Sequence, residues 1–152
     1  LSVGHRHVLE TYDRYARCNH GAMIRGKIEW EEYWRWENED ERTAAVYYDA
    51  KSQPAGYLLY WIARDVFHVK EMIYLSQEAR TGLWNFVTAH YSMIDRVQGN
   101  VFRNEPIAFL MDDSRIQECI EPYFMARIVD VCEFLSRYTL IRHCEPFSFF
   151  VI

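Results

Sequence analysis

Three short runs carry side chains of the kind a metal ion takes: His5-x-His7, Cys18-x-His20 and His143-Cys144. Structural zinc needs two spaced pairs of ligands and catalytic zinc needs three converging ones, and neither spacing occurs here. The sequence therefore predicts no metal site. With 4 Cys and 6 His a thiolate–imidazole pair is arithmetically available, but no cysteine stands in a glycine-flanked elbow that would present it as a nucleophile. Cys18, Cys119, Cys132 and Cys144 form no C-x-x-C pair. They read as core thiols of a reducing compartment, which makes a cytoplasmic location the expectation.

Single titratable residues come next. Glu71 interrupts an apolar alternation and reads either as a buried carboxylate facing a pocket or interface, or as a rim residue. His90 falls on an apolar face, where a satisfied core histidine is the ordinary reading. Asp130 stands at a predicted junction between strand and helix, where capping the helix competes with binding a ligand. Trp30, Trp34 and Trp36 cluster among acids. Their indole faces would suit a cationic ligand, and packing against a partner domain is the alternative.

The elements that must position these residues follow from periodicity. Val8, Tyr12, Tyr15 and Ala16 predict a helix over 3–19 that stops at Gly21. A short amphipathic helix over 27–37 places Trp30, Tyr33, Trp34 and Glu37 on one face, and 38–42 reads as a solvated connector. The period then changes. Segments 43–50, 56–64 and 66–75 are rich in β-branched and aromatic residues, with turn chemistry at 51–55, and predict a meander. The middle strand is apolar on both parities, as a central strand covered on both faces should be. In the third, Phe67, Val69, Ile73 and Leu75 alternate with His68, Lys70 and Met72, which predicts one wetter face.

Ser76 can cap a helix predicted over 76–96, with Glu78 in its first turn and Ala79, Leu83, Phe86, Val87, His90 and Ile94 repeating along it. A short strand over 97–102, a helical turn over 107–111, a strand over 121–130 and a helix over 131–138 complete the order. The closing run 147–152 is apolar and strand-like. Such a mixture predicts an α+β layered domain with a largely antiparallel sheet and flanking helices.

Composition limits what this fold can do. The 152 residues suffice for one domain, and half of them are apolar. A net charge of −5 argues against binding nucleic acid through its phosphates, which needs clustered Lys and Arg. No run approaches the length of a membrane span, so no membrane partner is expected. The aromatic share of 16% is high, which suggests an interface or an organic ligand beyond ordinary packing. A chain that opens without Met and closes on an apolar strand reads as a fragment of a longer protein.

Specific residues carry a resemblance. Tyr47-Tyr48-Asp49 followed by Gln53-Pro54-Ala55-Gly56-Tyr57-Leu58-Leu59-Tyr60 resembles a hairpin of the enhanced intracellular survival (Eis) family of GNAT N-acetyltransferases. Val69-Lys70-Glu71-Met72 resembles that family's strand before the helix, and Glu78-Ala79 with Leu83-Trp84-Asn85-Phe86 resembles the helix itself. Met125 to Val131 resembles a further element. The four occur in order over 43–138.

The resemblance implies a parent protein with a catalytic N-terminal GNAT domain, a central GNAT-like domain and a C-terminal domain similar to sterol carrier proteins. This chain resembles the central one over 1–142, with 143–152 opening the next. It implies that the parent moves an acetyl group from acetyl-CoA to primary amines of aminoglycoside or lysine type. The family's general-acid tyrosine and its carboxylate base lie in other parts of the parent, so no catalytic residue is expected here.

A GNAT domain that binds acetyl-CoA ordinarily carries an R/Q-x-x-G-x-G/A loop, and that spacing does not occur. The closest run, Arg17 to Ala22, has the wrong register. The helix in the expected place begins Leu75-Ser76-Gln77-Glu78, with an acid where phosphate would sit. No cofactor-binding residue is therefore expected. One wall of an amine pocket is the expected contribution, through Trp30, Trp34, Trp36 and Asp130. The neighbouring domains and a small-molecule amine are the expected partners, self-association through uncovered apolar faces is a further one, and a scaffold or oligomerisation module without a ligand is the alternative.

Overall fold

The structure is a computed structural model that describes residues 3–19, 21–35, 43–101, 107, 116–119 and 125–138. The chain divides into two compact units, 1–106 and 107–152. In the first, helices α1 (Val3–Cys18) and α2 (Lys27–Arg35) precede strands β1 (Thr43–Tyr48), β2 (Pro54–Ala63) and β3 (Val66–Tyr74), then helix α3 (Gln77–Thr88) and strand β4 (Arg96–Gly99). The sheet has the order β1-β2-β3-β4, antiparallel through β3 and parallel between β3 and β4. The expected α+β arrangement with a largely antiparallel sheet is what forms.

The central strand behaves as its double-sided apolar pattern requires. Pro54 to Leu59 are all buried. On one face Tyr57 and Leu59, with Ile73, meet Val8, Tyr12 and Ala16 of α1 and Trp30 of α2. The α1 contributors stand at four-residue spacing, the stripe a helix turns toward a sheet. On the other face Leu58 packs with Phe67, Val69 and Met72 beneath Leu83 and Val87 of α3. Gly82 lets α3 approach β1, since a Cβ there would overlap the ring of Tyr47.

The third strand departs from simple alternation. Leu59 pairs with Glu71 and Tyr60 with Val69, so Lys70 is the extra residue of a bulge. Val69 and Met72 consequently share the α3 face, whereas Glu71 and Ile73 reach the α1/α2 face. The parity expected for this strand therefore holds only on either side of Lys70. β2 and β3 join through Arg64 and Asp65, both at positive φ (52° and 60°), the handedness a two-residue hairpin turn needs.

The helix expected over 76–96 stops at Thr88. Its end tightens, with Ala89 N–H donating to Asn85 O at 3.0 Å, His90 N–H to Val87 O at 3.1 Å and Tyr91 N–H to Thr88 O at 3.0 Å. This turn brings Asp95 N–H to Asp65 O at 2.7 Å and starts β4 beside β3. β4 covers 96–99 rather than 97–102, and among the described residues it pairs with Val66 to Val69. A Cβ on Gly99 would lie 2.5 Å from Val69 O, so glycine lets the strand ends meet there.

In the second unit the helix expected over 131–138 is α4 (Val131–Arg137). Residues 125–130 are irregular rather than the expected strand, and 121–124 lie outside the described residues. The turn expected over 107–111 is described only at Ile107, and the run 147–152 lies outside. The cysteines correct another expectation. Cys18, Cys119 and Cys132 are exposed, not core thiols. Cys132 belongs to a helix that buries none of its residues, and Cys144 lies outside the described residues. Among the described residues no helix is long and apolar enough to cross a membrane.

Candidate functional site

Four elements of the first unit converge on one guanidinium. Arg25, in the connection between α1 and α2, donates to Glu71 of β3 through two parallel bonds, Nη2 to Oε1 at 2.7 Å and Nη1 to Oε2 at 3.1 Å. Tyr57 of β2 donates its hydroxyl to Glu71 Oε2 at 2.6 Å. The guanidinium carbon lies 3.9 Å from the ring centre of Tyr12, 4.2 Å from that of Tyr33 and 4.8 Å from that of Trp30. The Arg25 and Glu71 side chains are only 11% and 10% exposed.

Electrostatics follow from this enclosure. Burial works against the charge on Arg25, but the hydrogen bonds and charge of Glu71 outweigh it and hold the guanidinium protonated beyond its ordinary range. Burial, and then the neighbouring Glu71 charge, push the Tyr57 hydroxyl well above the usual tyrosine value. Lys70 lies 4.3 Å from the Tyr33 ring centre and donates to Tyr33 O at 3.2 Å, so the bulge residue also ties α2 to the sheet. Of the two readings open for Glu71, the structure gives the buried carboxylate.

Of the residues expected at an amine pocket, Trp30 and Trp34 come together in the first unit. Trp30 is a core residue, 6% exposed, with Tyr12 edge-on and the chain's own Arg25 over its ring. Trp34 is half-buried and stacks on Trp30 at 5.9 Å, and its Nε1 finds no hydrogen-bond partner among the described residues. Trp36 lies outside the described residues. Asp130 belongs to the second unit, where its carboxylate accepts from Glu133 N–H at 2.8 Å and caps α4. His90 is a packed histidine: its Nδ1 is 2.8 Å from Phe86 O and its ring meets Phe86, Phe67 and Tyr60.

The start of α3 is where the resemblance would put a cofactor's pyrophosphate. Ser76 Oγ already accepts from Ala79 N–H at 3.1 Å, and Glu78 stands in the first turn, accepting from Tyr47 Oη at 2.9 Å. A pyrophosphate here would meet a carboxylate at the position where the helix dipole would otherwise favour it. The residues present do not fit that group. Among the described residues no cluster of three or more His, Cys, Asp or Glu could hold a metal ion.

The sequence singled out Glu71 but not its partners Arg25 and Tyr57. The available signal was one acid in an apolar strand, which demands a cation from elsewhere in the chain. Nothing in the spacing selects Arg25 as that cation.

The fold and sequence have relatives. A conserved protein of Enterococcus faecalis V583 described as a probable N-acyltransferase is 29% identical, with a TM-score of 0.76 over 89% of this chain and 35% of its own. A GCN5-related N-acetyltransferase from Anabaena variabilis is 25% identical, with a TM-score of 0.56 over 70% of this chain and 28% of its own. This chain thus spans about a third of the length of these two. An acetyltransferase of Trypanosoma brucei, 11% identical, shares the fold at a TM-score of 0.51 over 79% of this chain and 92% of its own. No curated protein matches the chain. The model of the acetyltransferase (GNAT) domain matches residues 21–128, from the Arg25 segment through every strand of the sheet, and the chain belongs to that GNAT domain family.

Proposed function

We propose that this chain is a non-catalytic GNAT domain, the central one of an Eis-type acetyltransferase whose parent moves an acetyl group from acetyl-CoA to a primary amine of aminoglycoside or lysine type. The observation that carries this reading is the first turn of α3. Its Ser76 cap and the Glu78 carboxylate oppose a pyrophosphate, so the cofactor belongs to another part of the parent. Relatives about three times longer, one described as a probable N-acyltransferase, support a domain that works beside others.

Calorimetric titration of acetyl-CoA into the 152-residue chain tests this. The expected result is no heat of binding. Saturable one-to-one binding would overturn the accessory role and make the chain an acetyltransferase in its own right.

A second reading, a scaffold that holds neighbouring domains and touches no amine, is favoured by the placement of Trp30. This indole lies in the core, and its face already meets the chain's own Arg25. Tryptophan fluorescence of the full-length protein separates the two: a saturable response to an amine substrate supports an amine-lining role, and an unchanged spectrum supports the scaffold.

A further inference from the structure

We propose that the enclosure formed by Glu71, Tyr57 and the rings of Tyr12, Trp30 and Tyr33 is a receptor for an alkylguanidinium group, and that Arg25 is a ligand the chain supplies to itself. The inference goes beyond the acetyltransferase reading and does not depend on it.

The chemistry of the walls selects a guanidinium. Glu71 offers two oxygens to two parallel N–H groups at 2.7 and 3.1 Å, a match that a planar fork makes and a compact ammonium does not. Tyr57 holds the carboxylate by a bond of 2.6 Å. The aromatic rings at 3.9, 4.2 and 4.8 Å surround the delocalised cation with π faces.

The walls come from α1, α2, β2 and β3, whereas the ligand comes from the irregular connection 21–26. Gly21 opens that connection at a φ of 82°, and Gly26 closes it. Met23 and Ile24, the two residues before Arg25, are 53% and 54% exposed, so their side chains do not anchor it. Tyr12 Oη donates to Met23 O at 2.8 Å, Ala22 packs on the edge of the core cluster, and the Arg25 side chain, 11% exposed, is the segment's charged attachment. A ligand on such a tether competes at an effective concentration on the order of millimolar. The receptor in the unaltered chain is therefore closed to dilute external guanidinium compounds, and removing the Arg25 side chain opens it.

The test is thermal melting of Arg25→Ala with methylguanidinium added through the millimolar range. The expected result is a saturable upward shift in Tm, with a matching change in tryptophan emission because Trp30 lines the site. Methylammonium should give a smaller shift, and the double variant Arg25→Ala/Glu71→Gln none with either. No shift in Arg25→Ala, or the same shift in the double variant, would overturn the proposal. A parallel titration with N-acetylarginine amide tells the sources apart. Tighter saturation by it assigns the site to an arginine side chain on a peptide, and tighter saturation by methylguanidinium assigns it to a small free ligand. If Arg25→Ala does not fold alone, refolding by dilution decides instead. Recovery of soluble folded chain with methylguanidinium and not with methylammonium supports the receptor, and recovery with neither, or equally with both, overturns it.

Discussion

Arg25 and Glu71, 46 residues apart in sequence, form a two-pronged ion pair that joins the connection before α2 to the middle of β3. The pair lies on the α1/α2 face of the sheet, at the strand position just past the Lys70 bulge. Without that bulge Glu71 would face α3 among Leu58, Phe67, Val69 and Met72, on the opposite face of the sheet from Arg25. A local irregularity in one strand thus decides which face of the sheet receives the carboxylate.

Removing one member of this pair should cost more than removing both. Arg25→Met leaves the Glu71 carboxylate buried and unpaired, a loss of about 3–5 kcal/mol. Adding Glu71→Gln removes the stranded charge while an amide oxygen still accepts from Tyr57. The double variant should therefore regain part of the stability lost by Arg25→Met in urea unfolding. A double variant less stable than Arg25→Met would contradict this account of the pair.

Alkaline stability should report Tyr57. Its hydroxyl, normally titrating near 10.0, is held protonated in the folded chain by burial and by Glu71. Above that pH the unfolded chain loses the proton while the folded chain keeps it, so the unfolded state binds fewer protons and stability falls as pH rises. The contribution approaches about 1.4 kcal/mol per pH unit for a single group. Below pH 10.0 both states are protonated and the contribution is fully present. Tyr57→Phe should flatten the decline above that pH by up to this amount, read from urea unfolding curves across it. An unchanged slope would show that Tyr57 titrates freely in the folded chain.

The Tyr47–Gly82 approach gives a prediction whose sign depends on the partner. In a helix interior, alanine normally stabilises over glycine by about 1 kcal/mol. Here the added methyl would overlap the Tyr47 ring, and overpacking of this kind costs about 1–3 kcal/mol. Gly82→Ala alone should destabilise the chain. In a Tyr47→Ala background the same substitution should stabilise it, because the ring is gone and the propensity gain is left. Equal effects in both backgrounds would mean that the ring moves aside at no cost.

Elements with a strong local pattern were legible in the sequence. The both-sided apolar run of β2, the amphipathic α1 and the Ser76 cap of α3 each reflect forces that act within a few residues. Features set by distant contacts were not. The Lys70 bulge depends on which β2 residues pair with β3, and the turn at Arg64 and Asp65 lacks the glycine or asparagine that usually marks positive φ. The early end of α3 answers to the bond between Asp95 and Asp65, a tertiary requirement that overrides continued helical spacing through His90 and Ile94. The site divides the same way. Glu71 stood out as an acid in an apolar strand, but its partner is fixed by the packing of α1 and α2 on the sheet. Trp30, read with its neighbours as suiting either an external cation or a partner domain, encloses the chain's own Arg25.

Asp130 separates capping from ligand binding by the choice of substitution. Its carboxylate accepts from Glu133 N–H at 2.8 Å with the backbone extended, as an N-cap residue does. Asparagine caps nearly as well as aspartate, whereas alanine costs about 1 kcal/mol. Amide exchange at Glu133 should therefore be little changed in Asp130→Asn and faster in Asp130→Ala. A carboxylate that pairs with an amine substrate behaves differently, because asparagine loses the charge while keeping the cap. If the parent is the amine acetyltransferase proposed above, Asp130→Asn should leave its amine KM unchanged where capping is the whole role of the residue. A raised KM in Asp130→Asn, with Glu133 exchange unaltered, would place Asp130 in the proposed amine pocket.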